Sequence, residues 1–255
     1  TVKGPVVLEA KDLCLQDALK NINFTLKKGE ILGVAGVEGN GQTELLEALT
    51  GLVTPDMGSI YLKGEDITKH SVKQRIREGI GFIPEDRNDR GIVPSFCNWQ
   101  NAILGYQSNY QNRGVLDFKK INAVSKEILD TYQVKTEGIA AKTASLSGGN
   151  AQKLLLGRVF YHDSDVLVIA HPTRGVDVGA IEYLHKEILN MAKRGKAILL
   201  VSADLDEIRQ LSDRIVVLYE GSLVYETPAL STTEKELGMY MAGAFNKDES
   251  KVVGL

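Results

Sequence analysis

The chain has 255 residues, 43% of them hydrophobic, with 30 Lys and Arg against 33 Asp and Glu and a formal charge of −3. This balance excludes an intrinsically disordered chain and lacks the basic excess of a nucleic-acid binder. The longest strictly apolar runs, such as Val166–Ala170, fall far short of the roughly 20 residues of a membrane-spanning helix. Cys14 and Cys97 are the only cysteines, so neither a disulfide framework nor a CxxC metal site is indicated, and a reducing cytoplasm is the default. The first residues do not read as a signal peptide, and Thr1 in place of Met is what a piece of something longer is expected to show.

Val6–Leu15 alternates loosely between apolar and polar residues, and 22–26 alternates cleanly. Both read as half-buried strands. A turn at 27–30 leads to a buried strand, Ile31–Ala35, then a glycine-rich loop from Gly36 to Gly41 and a helical pattern over 43–50. Strands follow at 59–63 and 80–83, the second stopped by Pro84. Over 92–145 strand signals give way to helical spacing, and Phe96, Trp99, Tyr106, Tyr110 and Phe118 concentrate there. These aromatics suit either the core of a helical subdomain or a groove for a partner's helix. The α/β alternation resumes with a helix over 148–161, strand 166–170, helix 178–193, strand 197–202, helix 204–211, strand 214–219 and, after a Gly221 turn, strand 223–226. Strands alternating with helices of this length imply a mainly parallel sheet covered on both faces. The polar end, from about residue 244, reads as frayed.

Four segments carry candidate chemistry. Gly36, Val37, Glu38, Gly39, Asn40, Gly41, Gln42 and Thr43 lie between a strand and a helix, the setting in which backbone N–H groups and a helix N-terminus hold a phosphate. The alternative is a tight turn packed by glycines. Leu146, Ser147, Gly148, Gly149 and Asn150 open another helix, with Ser147 as its N-cap. Strand 166–170 ends at Ala170 and His171, where a nucleotide hydrolase would carry a metal-binding Asp and a catalytic Glu. A second buried strand ends at Ser202 and Ala203, toward the sheet edge where open α/β folds bind ligands. His70, His162 and His185 have no metal spacing and read as solvated or capping residues.

In this order, from about residue 6 to 226, the chain closely resembles a nucleotide-binding domain of an ATP-binding-cassette (ABC) transporter. The resemblance implies an ABC ATPase P-loop fold with a mainly parallel core sheet, an N-terminal antiparallel β subdomain and an inserted helical signature subdomain over about 92–160. It implies that ATP or ADP binds at the Walker A loop, Gly36, Glu38, Gly39, Asn40, Gly41, Gln42 and Thr43, with Thr43 a weak Mg²⁺ ligand. Glu85 takes the Q-loop glutamine's place, and Ser147, Gly148, Gly149 and Asn150 match the signature that acts in trans on a companion's ATP. Ala170 and His171 occupy the Walker B and catalytic glutamate positions, Asp177 lies in the D-loop, and Ala203 stands at the switch-histidine position. GVEGNGQTEL, PEDR, LSGGN and PTRGVDVGA together look like the second, C-terminal cassette of the fused double-ATPase subunits of bacterial sugar and nucleoside importers. Loss of both Walker B acids looks most like the purine-nucleoside branch.

The same comparison marks four missing groups: Gln42 for the Walker A lysine, Ala170 and His171 for the Walker B acids, and Ala203 for the switch histidine. Each such group is worth on the order of 10²–10⁴ in rate, so the isolated domain is expected not to hydrolyse ATP. The connection Cys14–Lys20 also offers no aromatic on which adenine would stack. The expected partners are a second cassette, in the same full-length chain, and transmembrane permease subunits at the cytoplasmic face of the membrane, with no nucleic acid. The competing expectations are a nucleotide-independent interaction cassette and an active stand-alone ATPase.

Overall fold

The computed structural model of the chain describes residues 3–245, so the polar end beyond Phe245 lies outside them. In chain order the elements are β1 (Val6–Leu15), β2 (Leu19–Lys27), β3 (Ile31–Ala35), α1 (Gln42–Thr50), β4 (Met57–Leu62), β5 (Glu65–Asp66), α2 (Val72–Glu78), β6 (Ile80–Ile83), α3 (Asn98–Ala102), β7 (Gln111–Asn112), β8 (Val115–Leu116), α4 (Phe118–Thr131), α5 (Gly148–Tyr161), β9 (Val166–Ala170), α6 (Val178–Lys193), β10 (Ala197–Ser202), α7 (Leu205–Leu211), β11 (Arg214–Tyr219), β12 (Ser222–Pro228) and α8 (Glu234–Met241). They fall into two units. Among the described residues, one holds those up to Ile80, Asp165–His171 and those from Ile188 to Phe245; the other holds Gly81–Ser164 and Pro172–Glu187.

The first unit contains an antiparallel sheet, β2-β1-β4-β5, and a second sheet in which β12-β11-β3-β10-β9 are successive neighbours. In the second sheet β3 runs parallel to β10 and β11, β10 runs parallel to β9, and only the β11–β12 pairing is antiparallel. Every residue of β3, β9 and β10 is buried. This is why these strands read as unbroken apolar runs: both faces of a parallel sheet are covered. The register sets Ser202 beside Ala35 and Val201 beside Ala170. The loops that begin at Gly36, His171 and Ala203 therefore leave one edge of the sheet together, the edge at which such folds bind ligands.

Buried Arg75 of α2 holds the far end of α1. Its Nη1 donates to the carbonyls of Ala48 and Leu49 at 2.6 and 2.8 Å, its Nε to His70 at 3.1 Å and its Nη2 to Thr68 at 2.9 Å. A cation at a helix C-terminus complements the dipole and satisfies carbonyls that have no partner within the helix.

The second unit packs α3, α4 and α5. Leu154, Leu155 and Leu156 are fully buried on α5, as is Ile128 on α4. Arg158 is buried beside them and donates to the carbonyls of Gly91 at 2.6 Å and Asn101 at 3.2 Å. Burial draws its pKa down to about 10, which leaves it charged at neutral pH. His162 is not solvated; it is the C-cap of α5, as the capping alternative expected, and it is also packed among aromatics. It stacks on Tyr106 with centroids 3.7 Å apart, accepts from the Tyr110 hydroxyl at 2.7 Å and bonds the Arg158 carbonyl through Nδ1 at 2.6 Å. Tyr106 and Tyr110 are thus core residues, whereas Phe118 is exposed and meets Trp99 edge-on.

Burial pushes the His162 pKa below its ordinary value, and the Arg158 charge adds to that push. The unfolded chain therefore binds this proton at a higher pH than the folded one does, and stability falls as pH drops below about 6.5. Urea midpoints measured between pH 7.5 and 5.5 should fall, and they should fall less in His162→Phe, which has no imidazole to protonate; an unchanged slope in that variant refutes the assignment.

The sequence reading did not anticipate α2, α8, the π-helical turn Arg87–Gly91 or the β7–β8 hairpin inside the segment read as helical. Two-residue strands are too short to show a period. On α8, the buried Leu237, Tyr240 and Met241 follow helical spacing, but in a run with few other apolar residues.

Candidate functional site

The loop Gly36–Thr43 is fastened to the first unit from two sides. The Asn40 carbonyl and Oδ1 accept from the backbone N–H groups of Gly221 at 3.0 Å and Glu220 at 2.9 Å, and Lys20 N–H donates to the Gly221 carbonyl at 2.7 Å. Gly41 stands at φ 107° as the N-cap of α1, and a Cβ there would lie 2.6 Å from the Ala18 carbonyl oxygen. Only glycine fits both the left-handed conformation and the close approach. No side chain caps α1, so its first N–H groups and their dipole are available to an anion. On these observations the loop fits a phosphate group.

Gln42 modifies that fit. Its side chain is buried and folds back into the loop: Nε2 donates to the Val37 carbonyl at 2.7 Å, and Oε1 accepts from the Asn40 N–H at 3.0 Å. One loop amide suited to a phosphate oxygen is thus already bonded to a neutral oxygen.

Along the same sheet edge, Ala170 is buried at the end of β9 and His171 follows at φ 43°, its N–H bonded to the Val201 carbonyl at 2.8 Å. Burial lowers the His171 pKa, and the charges of Glu207 and Glu38 offset part of that shift. Ala203 is exposed and offers only a methyl group. Asp204, the next residue, has its carboxylate committed to capping α7 through the N–H groups of Asp206 at 2.9 Å and Glu207 at 3.1 Å. Among the described residues, no group of three or more His, Cys, Asp or Glu gathers as a metal site. Thr43 is exposed at α1, and Ala170 and His171 end the neighbouring strand; this donor set does not suit Mg²⁺, which prefers carboxylate oxygens.

In the second unit, Ser147 is exposed at the N-terminus of α5. Its Oγ accepts from the Asn150 N–H at 3.3 Å and from Asn150 Nδ2 at 2.9 Å, while Asn150 Oδ1 accepts from Lys135 N–H at 2.8 Å. Asn150 thereby ties the first turn of α5 to the segment after α4. Asp177 Oδ1 accepts from the Ala180 N–H at 3.1 Å, as an N-cap does, and a Cβ on Gly149 would lie 2.8 Å from Asp177 Oδ2. Glu85 pairs with Arg174, and Arg87 donates to the carbonyls of Arg174 and Gly175. Sequence reasoning singled out Glu85, Ser147, Gly149 and Asp177 but missed Arg87 and Arg174, although both lie inside motifs it quoted.

A family model described as ABC transporter matches residues 19–174. The chain belongs to the ABC transporter family. It is 40% identical over 245 residues to the nucleoside import ATP-binding protein NupA of Lactococcus lactis subsp. cremoris, covering 93% of this chain and 48% of that protein. It is also 40% identical over 249 residues to the guanosine import ATP-binding protein NupO of Bacillus subtilis, covering 97% and 49%. This ABC domain therefore spans about half the length of the curated relatives it matches. Its fold matches that of a nucleotide-free ATP-binding cassette from an ABC transporter with a TM-score of 0.77 at 21% identity, over 92% of this chain and 99% of that one. Among the described residues, no helix is long and apolar enough to cross a membrane.

Proposed function

We propose that this chain is the ATP-binding domain of an importer for nucleosides or simple sugars, that its own nucleotide site is degenerate, and that its signature motif completes the ATP site of a companion cassette. The observation that carries the reading is Gln42. Its side-chain amide replaces the charge expected at the β/γ phosphates and occupies the Asn40 N–H. Ala170, His171 and Ala203 on the same sheet edge withhold the metal ligand, the base and the switch imidazole. Ser147 and Gly148, by contrast, keep a solvent-accessible helix start.

In this reading ATP or ADP is held by the loop amides and the N-terminus of α1, with little help from Mg²⁺. The companion cassette and the membrane permease are the partners; the nucleoside and guanosine importers named above motivate that assignment and the substrate class, and their doubled length is consistent with a companion in the same polypeptide. The peripheral cytoplasmic face of the membrane is the corresponding location.

The chain by itself should show no Mg²⁺-dependent ATP turnover above background, whereas a rate of about 1 s⁻¹, the low end for ordinary enzymes, overturns the degenerate reading. The Gln42 contacts also favour a second reading, a cassette that binds no nucleotide at all. Calorimetric titration with ADP and ATP, with and without Mg²⁺, separates the two: heat of binding that barely changes with Mg²⁺ supports the first, and no heat supports the second.

A further inference from the structure

Arg87 lies where several segments of the second unit converge. Its Nη1 donates to the Arg174 carbonyl at 2.8 Å and its Nη2 to the Gly175 carbonyl at 3.1 Å. The same Nη2 lies 2.9 Å from the place a Cβ on Gly148 would take, and the Gly175 carbonyl lies 3.2 Å from it. The guanidinium is thus wedged between the turn 174–175 and the first residue of α5. Glu85, two positions earlier, pairs with Arg174. Asp86 between them accepts from the N–H groups of Asn88 and Asp89 at 2.9 and 3.1 Å, which fixes the backbone that carries Arg87. On the other side of the α5 start, Gly149 faces Asp177. The two glycines that open α5 therefore meet Arg87 on one side and Asp177 on the other, and either Cβ would push one of them away.

We propose that Arg87 is a positioning residue for the trans-acting motif: its guanidinium fork holds residues 174–177 against the N-terminus of α5, so that Ser147, Gly148 and Asp177 keep one spacing when a companion's nucleotide docks. The inference rests on the trans reading above. The two carbonyls belong to consecutive residues and are reached by two different nitrogens of one planar group. A lysine ammonium cannot reproduce that fork. Substrate-like groups held by several elements lose rate steeply when the elements shift by an ångström, so the contribution of Arg87 is geometric and is made through Ser147 and Gly148.

The test uses the full-length protein with its permease in proteoliposomes, assayed for ATP turnover. Arg87→Ala should lower kcat about tenfold, with the KM for ATP nearly unchanged, because the companion's own loop still binds the nucleotide. Arg87→Lys should fall between, retaining the charge and one bond. Hydrogen exchange in Arg87→Ala should accelerate over 173–177 and 147–150 and stay at the parental rate through the rest of α5. Parental kcat in Arg87→Ala overturns the proposal. So does accelerated exchange throughout the second unit, which assigns Arg87 a purely stabilising role. Ser147→Arg in the same assembly keeps the two readings apart: if it abolishes turnover while Arg87→Ala does not, only the Arg87 assignment falls; if it too leaves kcat intact, the trans reading fails and takes the Arg87 role with it.

Discussion

Gln42→Lys should raise the affinity of the chain for ATP by about tenfold or more, since a hydrogen bond from a charged donor contributes roughly 1.5–3 kcal/mol and each 1.4 kcal/mol is a factor of ten. Two effects act in the same direction. The glutamine donates to the Val37 carbonyl and accepts from the Asn40 N–H; lysine has no acceptor, so the Asn40 N–H keeps only its longer bond to the Val37 carbonyl, at 3.3 Å, and is more easily drawn to the ligand. The ammonium also supplies the positive charge that the β/γ phosphates lack. Gln42→Ala separates the contributions, because it removes the Oε1 that competes for the Asn40 N–H without adding charge. A modest gain in that variant, measured by calorimetry with ATP, supports a side chain that competes with the phosphates. Weaker binding than in the parent would make Gln42 itself a phosphate ligand and sink this account. On the proposed reading neither variant should hydrolyse ATP, because Ala170 and His171 supply none of the acidic groups that phosphoryl transfer draws on.

The core sheet was legible because burial on both faces writes itself as runs such as Val166–Ala170 and Ala197–Val201, and the bounds of β9, α6, β10 and β11 agree with the sequence reading. The loop Gly36–Gly41 was legible for a similar reason: glycines concentrate where only they fit, and Gly41 meets the Ala18 carbonyl. What stayed hidden depends on long-range partners. The wrapping of Asn40 around Glu220 and Gly221 joins residues 180 positions apart, and no local pattern announces it. Arg87 contacts carbonyls 87 and 88 positions away, and because its partners are backbone atoms no residue type marks them. His162 reads as solvated or capping in sequence, and its packing stays hidden because its aromatic neighbours Tyr106 and Tyr110 arrive from a distant segment. Gln42 was legible as an uncharged side chain in the loop, but not as a group that turns inward to occupy it.

Ser147→Arg in the full-length assembly should abolish transport while costing the domain little stability. Within this chain Ser147 is an N-cap: its Oγ accepts from the Asn150 N–H at 3.3 Å and from the Asn150 side chain at 2.9 Å. Losing a cap costs about 1 kcal/mol, which lowers the melting temperature of a domain of this size by roughly 2–4 °C. If capping were the whole role, transport would survive that loss. The exposed position argues for more. Oγ already accepts from its own helix, but its hydrogen remains free to donate outward, beside the N–H groups of the α5 start and their partial positive charge. An arginine fills the space in front of those groups and withdraws the hydroxyl. Ser147→Ala provides the contrast, since it loses the same cap and leaves the space open. Transport lost in Ser147→Arg but largely kept in Ser147→Ala, with similar melting temperatures, indicates that a phosphate docks there. Equal transport in both variants, tracking only the melting temperature, assigns Ser147 to its own helix. In the proposed importer the contact would be useful because a γ-phosphate bridges two cassettes only until it is cleaved. If the proposed reading holds, a domain whose own site is degenerate can then still close and release with each turnover of its companion.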